Sequence, residues 1–153
     1  MSDCHGAWRD AVNRLKDLKL DGLICLGDMT TDGERLAEAL GVENFWCVCG
    51  NCDLLCEYEQ ELVLDLDGAS VLLCHGHQYG VKSNLLGVKY RAMELGCQGV
   101  LFGHNHIWCS MVEDGVWLCN PGSVGRARGD GMASVALLEV LQGKILSFTR
   151  LMI

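Results

Sequence analysis

All five histidines of the chain fall into three short clusters: Asp3-Cys4-His5-Gly6, His75-Gly76-His77 and Gly103-His104-Asn105-His106. Two further islands, Gly27-Asp28 and Gly50-Asn51-Cys52-Asp53, join glycine to a carboxylate or an amide in the same way. From Asp28 onward each island follows directly on an apolar run of strand character, at 23–26, 45–49, 70–74 and 100–102. Any fold for this chain must make use of that placement. Open α/β sheets do so by gathering ligands at the carboxyl ends of their strands, so residues far apart in sequence can meet on one rim. Imidazole with carboxylate is the usual donor set for borderline divalent metals. The pattern points to a metal site.

Between the islands, helices and strands alternate. Trp8, Val12, Leu15 and Leu18 have helical spacing within 7–19, and a strand at 23–26 follows. A helix at 33–40 and a strand at 45–49 come next, which predicts parallel α/β pairing in the first third. The rest reads as a hairpin 61–66/70–74 turning at Asp67-Gly68, a helix near 83–95 and a strand at 100–102. A hairpin 107–112/116–119 turns at Asp114-Gly115, and strands near 133–140 and 144–151 meet at Gln142-Gly143.

The 153 residues, half of them hydrophobic, suit one folded domain, expected to span 1–153 with no cap domain. Twelve basic against 20 acidic residues give −8, which disfavours a stable complex with nucleic acid. No apolar run approaches the roughly 18 residues of a membrane span, and no signal segment is evident, so a cytoplasmic protein is expected. The ten cysteines are irregularly spaced, several of them in apolar runs, and are expected as reduced thiols. A cysteine metal or cluster site at Cys47, Cys49, Cys52 and Cys56 is the rival reading, weakened by its overlap with Gly50-Asn51.

In order, the islands read D-x-H-G, G-D, G-N-x-D, H-G-H and G-H-x-H, followed by Asn120-Pro121-Gly122-Ser123. That series resembles the calcineurin-like metallophosphoesterases over nearly the whole chain. Within them it is most similar to the small YfcE-type phosphodiesterases, a branch that includes the retromer scaffold subunit. The resemblance implies a four-layer α-β-β-α sandwich. It also implies two divalent metal ions, with Mn²⁺ expected and Ni²⁺, Zn²⁺, Fe²⁺ or Co²⁺ as alternatives. By that likeness Asp3, His5 and His106 hold one ion, Asn51, His75 and His104 the other, and Asp28 bridges them. A hydroxide between the ions would attack a phosphoester, with Asp28, Asn51 and His75 central to catalysis.

Four other residues stay open. His77 supports a ligand, faces substrate or is structural; Asp53 hydrogen-bonds a ligand or caps a turn. Arg126, with Arg128, meets a phosphate or is a solvated loop charge. Cys52 stands where many relatives carry a histidine that can protonate the leaving group, so phosphodiesters or esters with acidic leaving groups are the expected substrates. Relatives also carry a buried strand directly before D-x-H, whereas this chain begins Met1-Ser2. The fold is therefore expected to lack or truncate its first strand, of about five residues, through a start placed too far downstream. A groove, exposed strand edges (a possible route to a homodimer) and a frayed Asp3 and His5 should result. The alternative function is a protein-binding scaffold with little or no catalysis.

Overall fold

The computed structural model describes residues 1–153. Helix α1 (Trp8–Leu15), strand β1 (Leu23–Cys25), helix α2 (Thr30–Leu40) and strand β2 (Phe45–Cys47) form the first unit. β3 (Glu61–Leu66), β4 (Ala69–Cys74), α3 (Leu86–Glu94), β5 (Gly99–Leu101), β6 (Trp108–Glu113) and β7 (Val116–Pro121) follow, and β8 (Ser134–Leu141) and β9 (Lys144–Met152) close the chain. β1 and β2 pair in parallel. The central sheet runs β3-β4-β5-β7-β6, parallel at β4-β5-β7 and antiparallel at both edges, while β8 and β9 form an antiparallel ribbon.

Each side chain's layer follows from the two-residue period of the strands. In β4, Leu72 and Cys74 pack with Val88 and Ala92 of α3, whereas Val71 and Leu73 face Leu26, Val48 and Phe148 across the sandwich. On the far side, Ala11 and Leu15 of α1 and Leu36 of α2 cover Leu23, Cys25 and Cys47, with Val135 of β8 in the same cluster. The layers are thus α1 and α2, then β1, β2, β8 and β9, then the five-stranded sheet, then α3. This is the α-β-β-α sandwich that the family resemblance implies. Its three hairpins turn through the expected pairs Asp67-Gly68, Asp114-Gly115 and Gln142-Gly143, with positive φ at both positions, as two-residue turns of primed type require.

The N-terminus is not frayed. Met1, Ser2, Asp3 and Cys4 are all buried. The Met1 ammonium donates to the Ile24 carbonyl at 2.7 Å, and the Leu26 amide donates back to Met1 O at 3.0 Å. On the other side the Val124 and Gly125 amides reach Ser2 O and Asp3 O, both at 3.3 Å. Backbone bonding from both flanks overrides the fraying expected of a chain end. The predicted groove is present: a cavity of about 600 Å³ runs from Met1 between Leu23-Ile24 of β1 and Val135–Leu141 of β8. Leu66, Leu101 and Phe148 are among the residues that line it.

The cysteines also depart from expectation at one place. Cys49 and Cys56 form a disulfide, and the other eight are free. Two of the four thiols proposed for a cysteine metal site are therefore bonded to each other, and Cys47 is buried against Cys25. No helix is long and apolar enough to cross a membrane.

Candidate metal centre

The islands do converge on one rim. Gly50, after β2, lies so close to the loop after β1 that a Cβ there would fall 2.2 Å from Asp28 Oδ1. Only glycine allows this approach. Asp28 then adopts φ 55° and Met29 φ 76°. Asp53 holds that strained turn: one carboxylate oxygen accepts from the Asp28 and Gly50 amides, both at 2.8 Å, and the other from Met29 at 2.7 Å and Thr30 at 2.9 Å. Asp53 thus caps α2 and fixes Asp28 in a single set of bonds. The Cys52 amide donates to Asp28 Oδ1 at 2.9 Å, while Oδ2 faces His5 Nε2 at 4.0 Å.

Asp3 sits opposite, fully buried at φ 53°. Its Oδ2 accepts the Ser2 hydroxyl at 2.6 Å and the His104 amide at 3.1 Å. Gly103 makes the crossing possible, since a Cβ there would meet Ser2 Oγ at 1.9 Å. Asp3 Oδ1 lies 3.0 Å from His106 Nε2 and 4.0 Å from His75 Nε2. Both imidazoles are oriented from behind. His75 Nδ1 lies 2.7 Å from the Leu26 carbonyl and His106 Nδ1 2.7 Å from the Arg126 carbonyl. A carbonyl can only accept, so each Nδ1 carries a proton, and a neutral ring then turns its Nε2 lone pair toward the carboxylates.

The donor atoms are left without partners. Asp3 Oδ1, His5 Nε2 and His75 Nε2 are buried and make no hydrogen bond, although His106 Nε2 and Asp28 Oδ1 lie only 3.0 and 3.3 Å from the first and last. Lone pairs facing lone pairs in a buried pocket are costly unless a cation lies between them. One donor atom each from Asp3, His5, Asp28 and His106 lies within 4.8 Å of the others. These residues fit a divalent cation.

Their protonation agrees at all but His106. Burial would raise the Asp3 pKa, but the imidazoles of His106 and His75 and the Ser2 hydroxyl hold it below its ordinary value. Burial, with the charges of His75 and Lys82, lowers His104 to about 4. Burial, reinforced by Arg126, lowers His5 as well, and burial with His75 lowers His77. Neutral imidazoles are the form that binds metal. His106 is pulled the other way by Asp3, which raises it.

Next to this cluster the His75 and His104 rings stand 5.1 Å apart, with His77 at 5.5 Å from His75 and 6.0 Å from His104. The structure therefore brings Asp3, His5, Asp28, His75, His104 and His106 together. Asn51 is exposed beside them, its Nδ2 3.4 Å from Cys52 Sγ. Arg126 and Arg128 are exposed on the loop behind His106. Asn120 donates to Gly103 O and Asn105 Oδ1, both at 3.0 Å, so it braces the His104–His106 loop. Two positioning residues escaped the sequence reading, Ser2 and Asp32, whose carboxylate accepts the Gly6 amide at 2.7 Å, while Ser123, read only as part of the Asn120–Ser123 motif, donates its hydroxyl to Asp3 O at 2.8 Å. Nothing in the sequence marked Asp32, because the helix that carries it was expected to begin only at 33.

The calcineurin-like phosphoesterase superfamily domain matches residues 1–143. The chain belongs to the calcineurin-like phosphoesterase superfamily. As a member it is a metal-dependent phosphoesterase, a hydrolase whose substrate is a phosphoester. The probable metallophosphoesterase YsnB of Bacillus subtilis (strain 168) is 35% identical to it over 142 residues, covering 92% of this chain and 82% of that protein. Among solved structures, a Vps29 single mutant from Entamoeba histolytica superimposes with a TM-score of 0.81 at 18% identity, covering 100% and 97% of the two chains. The phosphoesterase YfcE from E. coli does so with a TM-score of 0.69 at 21% identity, covering 97% and 95%. At those identities the two structures attest to the fold. They confirm the metallophosphoesterase sandwich.

Proposed function

We propose that this phosphoesterase is a binuclear-metal phosphodiesterase, a single domain with an open rim. The carrying observation is the set of buried, unpartnered donor atoms on Asp3, His5 and His75 around the Asp28 carboxylate. Asp3, His5 and His106 would hold one ion, Asn51, His75 and His104 the other, and Asp28 would bridge them. Bound there, divalent ions such as Mn²⁺ supply Lewis acidity toward the phosphoryl oxygens and lower the pKa of water.

The chain's own contribution is orientation. The Leu26 and Arg126 carbonyls fix the ring faces of His75 and His106. Asp53 and the Cys52 amide hold Asp28 with its second oxygen free. Asn51 is exposed on a loop whose next amide already binds Asp28. Cys52 is exposed, and slight desolvation together with the neighbouring Asp28 raises its thiol pKa. A thiol of that kind is a poor match for protonating an alkoxide at neutral pH. This favours phosphodiesters or acidic leaving groups, and monoester turnover exceeding diester turnover for one leaving group would contradict it.

The deciding experiment is hydrolysis of bis-p-nitrophenyl phosphate by metal-stripped protein, with Mn²⁺, Ni²⁺ or Zn²⁺ added back. Turnover that needs metal, and that His75→Ala and Asp28→Asn each reduce at least a hundredfold, is expected. Metal binding at two ions per chain without turnover would favour the scaffold reading instead.

A further inference from the structure

The loop after Asn51 holds a second feature that metal binding does not explain. Leu54 and Leu55 are 90% and 100% exposed, and Leu55 has φ 59°. A branched apolar residue in a left-handed conformation, held wholly in water, gains nothing from folding there. Yet the loop is rigidly built. The Cys49–Cys56 disulfide ties its ends, Asp53 binds four amides at its base, and the Cys52 amide binds Asp28.

Between this loop and the start of α2 lies a cleft of about 450 Å³, lined among others by Met29, Glu34, Cys52, Leu54, Leu55 and Tyr58. It adjoins the metal centre directly, because Met29 follows Asp28 in the chain and Cys52 follows Asn51. Its ionisable carboxylates are Glu34, Asp53 and Glu57, and it contains no lysine or arginine. Asp53 is committed to backbone amides, and the Tyr58 hydroxyl donates to Glu34 at 2.7 Å. An anionic phosphoryl group is therefore repelled from the cleft and kept at the centre, on whose other side Arg126 bears on His5. What the cleft suits is an uncharged organic group attached to that phosphoryl.

We propose that this cleft binds the alcohol portion of the phosphodiester, and that Leu54 and Leu55 select for aromatic or aliphatic alcohols over small or phosphorylated ones. This deepens the phosphodiesterase reading and rests on it. The disulfide and the Asp53 clamp serve the same end. They hold two apolar side chains in place before substrate arrives, so the ordering cost is not charged against binding.

The test uses metal-loaded full-length protein and two phosphinates whose C–P bonds cannot be hydrolysed: methyl(naphthylmethyl)phosphinate and dimethylphosphinate. Titration calorimetry gives the affinity ratio of the two. In the wild type the naphthyl compound should bind at least tenfold more tightly. In L54S/L55S that ratio should fall at least fivefold, with Tm unchanged because both side chains are exposed. A ratio near one in the wild type, or one unmoved by the double substitution, overturns the proposal. Loss of a concentration-dependent dimer with the ratio intact also overturns it, and assigns the leucines to a contact between copies. Turnover of bis-p-nitrophenyl phosphate is followed in parallel. If the wild type neither hydrolyses it nor binds either phosphinate, the phosphodiesterase reading itself has failed. Turnover with no selectivity sinks only the cleft.

Discussion

Asp3, His5, Asp28, Met29, His104 and His106 all hold positive φ, a conformation that residues with a Cβ rarely adopt. Each such residue costs on the order of 1–3 kcal/mol and persists only where its surroundings enforce it. At Asp28 and Met29 the enforcing residue is Asp53. Replacing it with alanine removes four charge-assisted bonds and leaves their amides competing for water. Asp53→Ala should destabilise the fold by about 2–4 kcal/mol, seen as a Tm lower by roughly 5–15 °C. It should also weaken metal binding through misplacement of Asp28, whereas a Tm within 2 °C of wild type would show the clamp to be dispensable. The histidines predict a pH effect in metal-stripped protein. His104 titrates near 4 when folded and near its ordinary 6.5 when unfolded, so between those values the unfolded chain binds more protons. Its contribution is complete above 6.5 and is lost as the pH falls toward 4. His5 and His77 are lowered and act in the same sense, while the raised His106 opposes them. Tm of the stripped protein should therefore fall as pH drops from 6.5 to 4, and His104→Asn should flatten the slope. An unchanged slope would remove His104 from the buried cluster.

Among the elements, those defined by local pattern were legible and those defined by distant partners were not. All three hairpin turns were visible as Asp-Gly or Gln-Gly between alternating runs. α2 begins at Thr30 rather than at 33, because its cap, Asp53, comes from a loop that no local pattern connects to it. α1 ends at Leu15, before the apolar spacing through Leu18 is used up, since Leu18 closes a turn onto Leu15 instead. The Cys49–Cys56 bond was missed for a related reason. Counted over the whole chain the cysteines looked irregular, and only the fold of loop 49–56 shows which two meet. That bond closes a short loop. By chain entropy, its reduction should cost about 2–3 kcal/mol, and Cys49→Ser/Cys56→Ser should match the reduced wild type in Tm. A double variant as stable as the oxidised protein would mean that the Asp53 clamp alone suffices to hold the loop.

At the scale of the molecule, the metal rim was readable because every island from Asp28 onward follows a strand, and those strands end on the same side of the sandwich. The burial of Asp3 was not readable, since no pattern within Met1–Cys4 announces that β1 and the Ser123–Gly125 loop bond it from both flanks. The same flanks continue past Met1 as a groove with two unlike walls. One is β1, paired on its other side with β2, and the other is β8, paired on its other side with β9. Met1 already stands in the first rung, and burial lowers the pKa of its ammonium because the charge is set against an apolar cavity. An extended segment of five β-branched residues fused ahead of Met1 would move that charge out of the cavity and bring amides and carbonyls to both edges. Each large apolar side chain placed inside gains about 1.5–3 kcal/mol, offset by roughly 1.5 kcal/mol of ordering per residue. The net should be a few kcal/mol, or a Tm higher by roughly 5–10 °C, with the added residues protected from proteolysis. A scrambled polar extension of equal length should change neither. If the apolar extension stays protease-sensitive at an unchanged Tm, the walls of the groove lie too close or too far apart to pair with a strand.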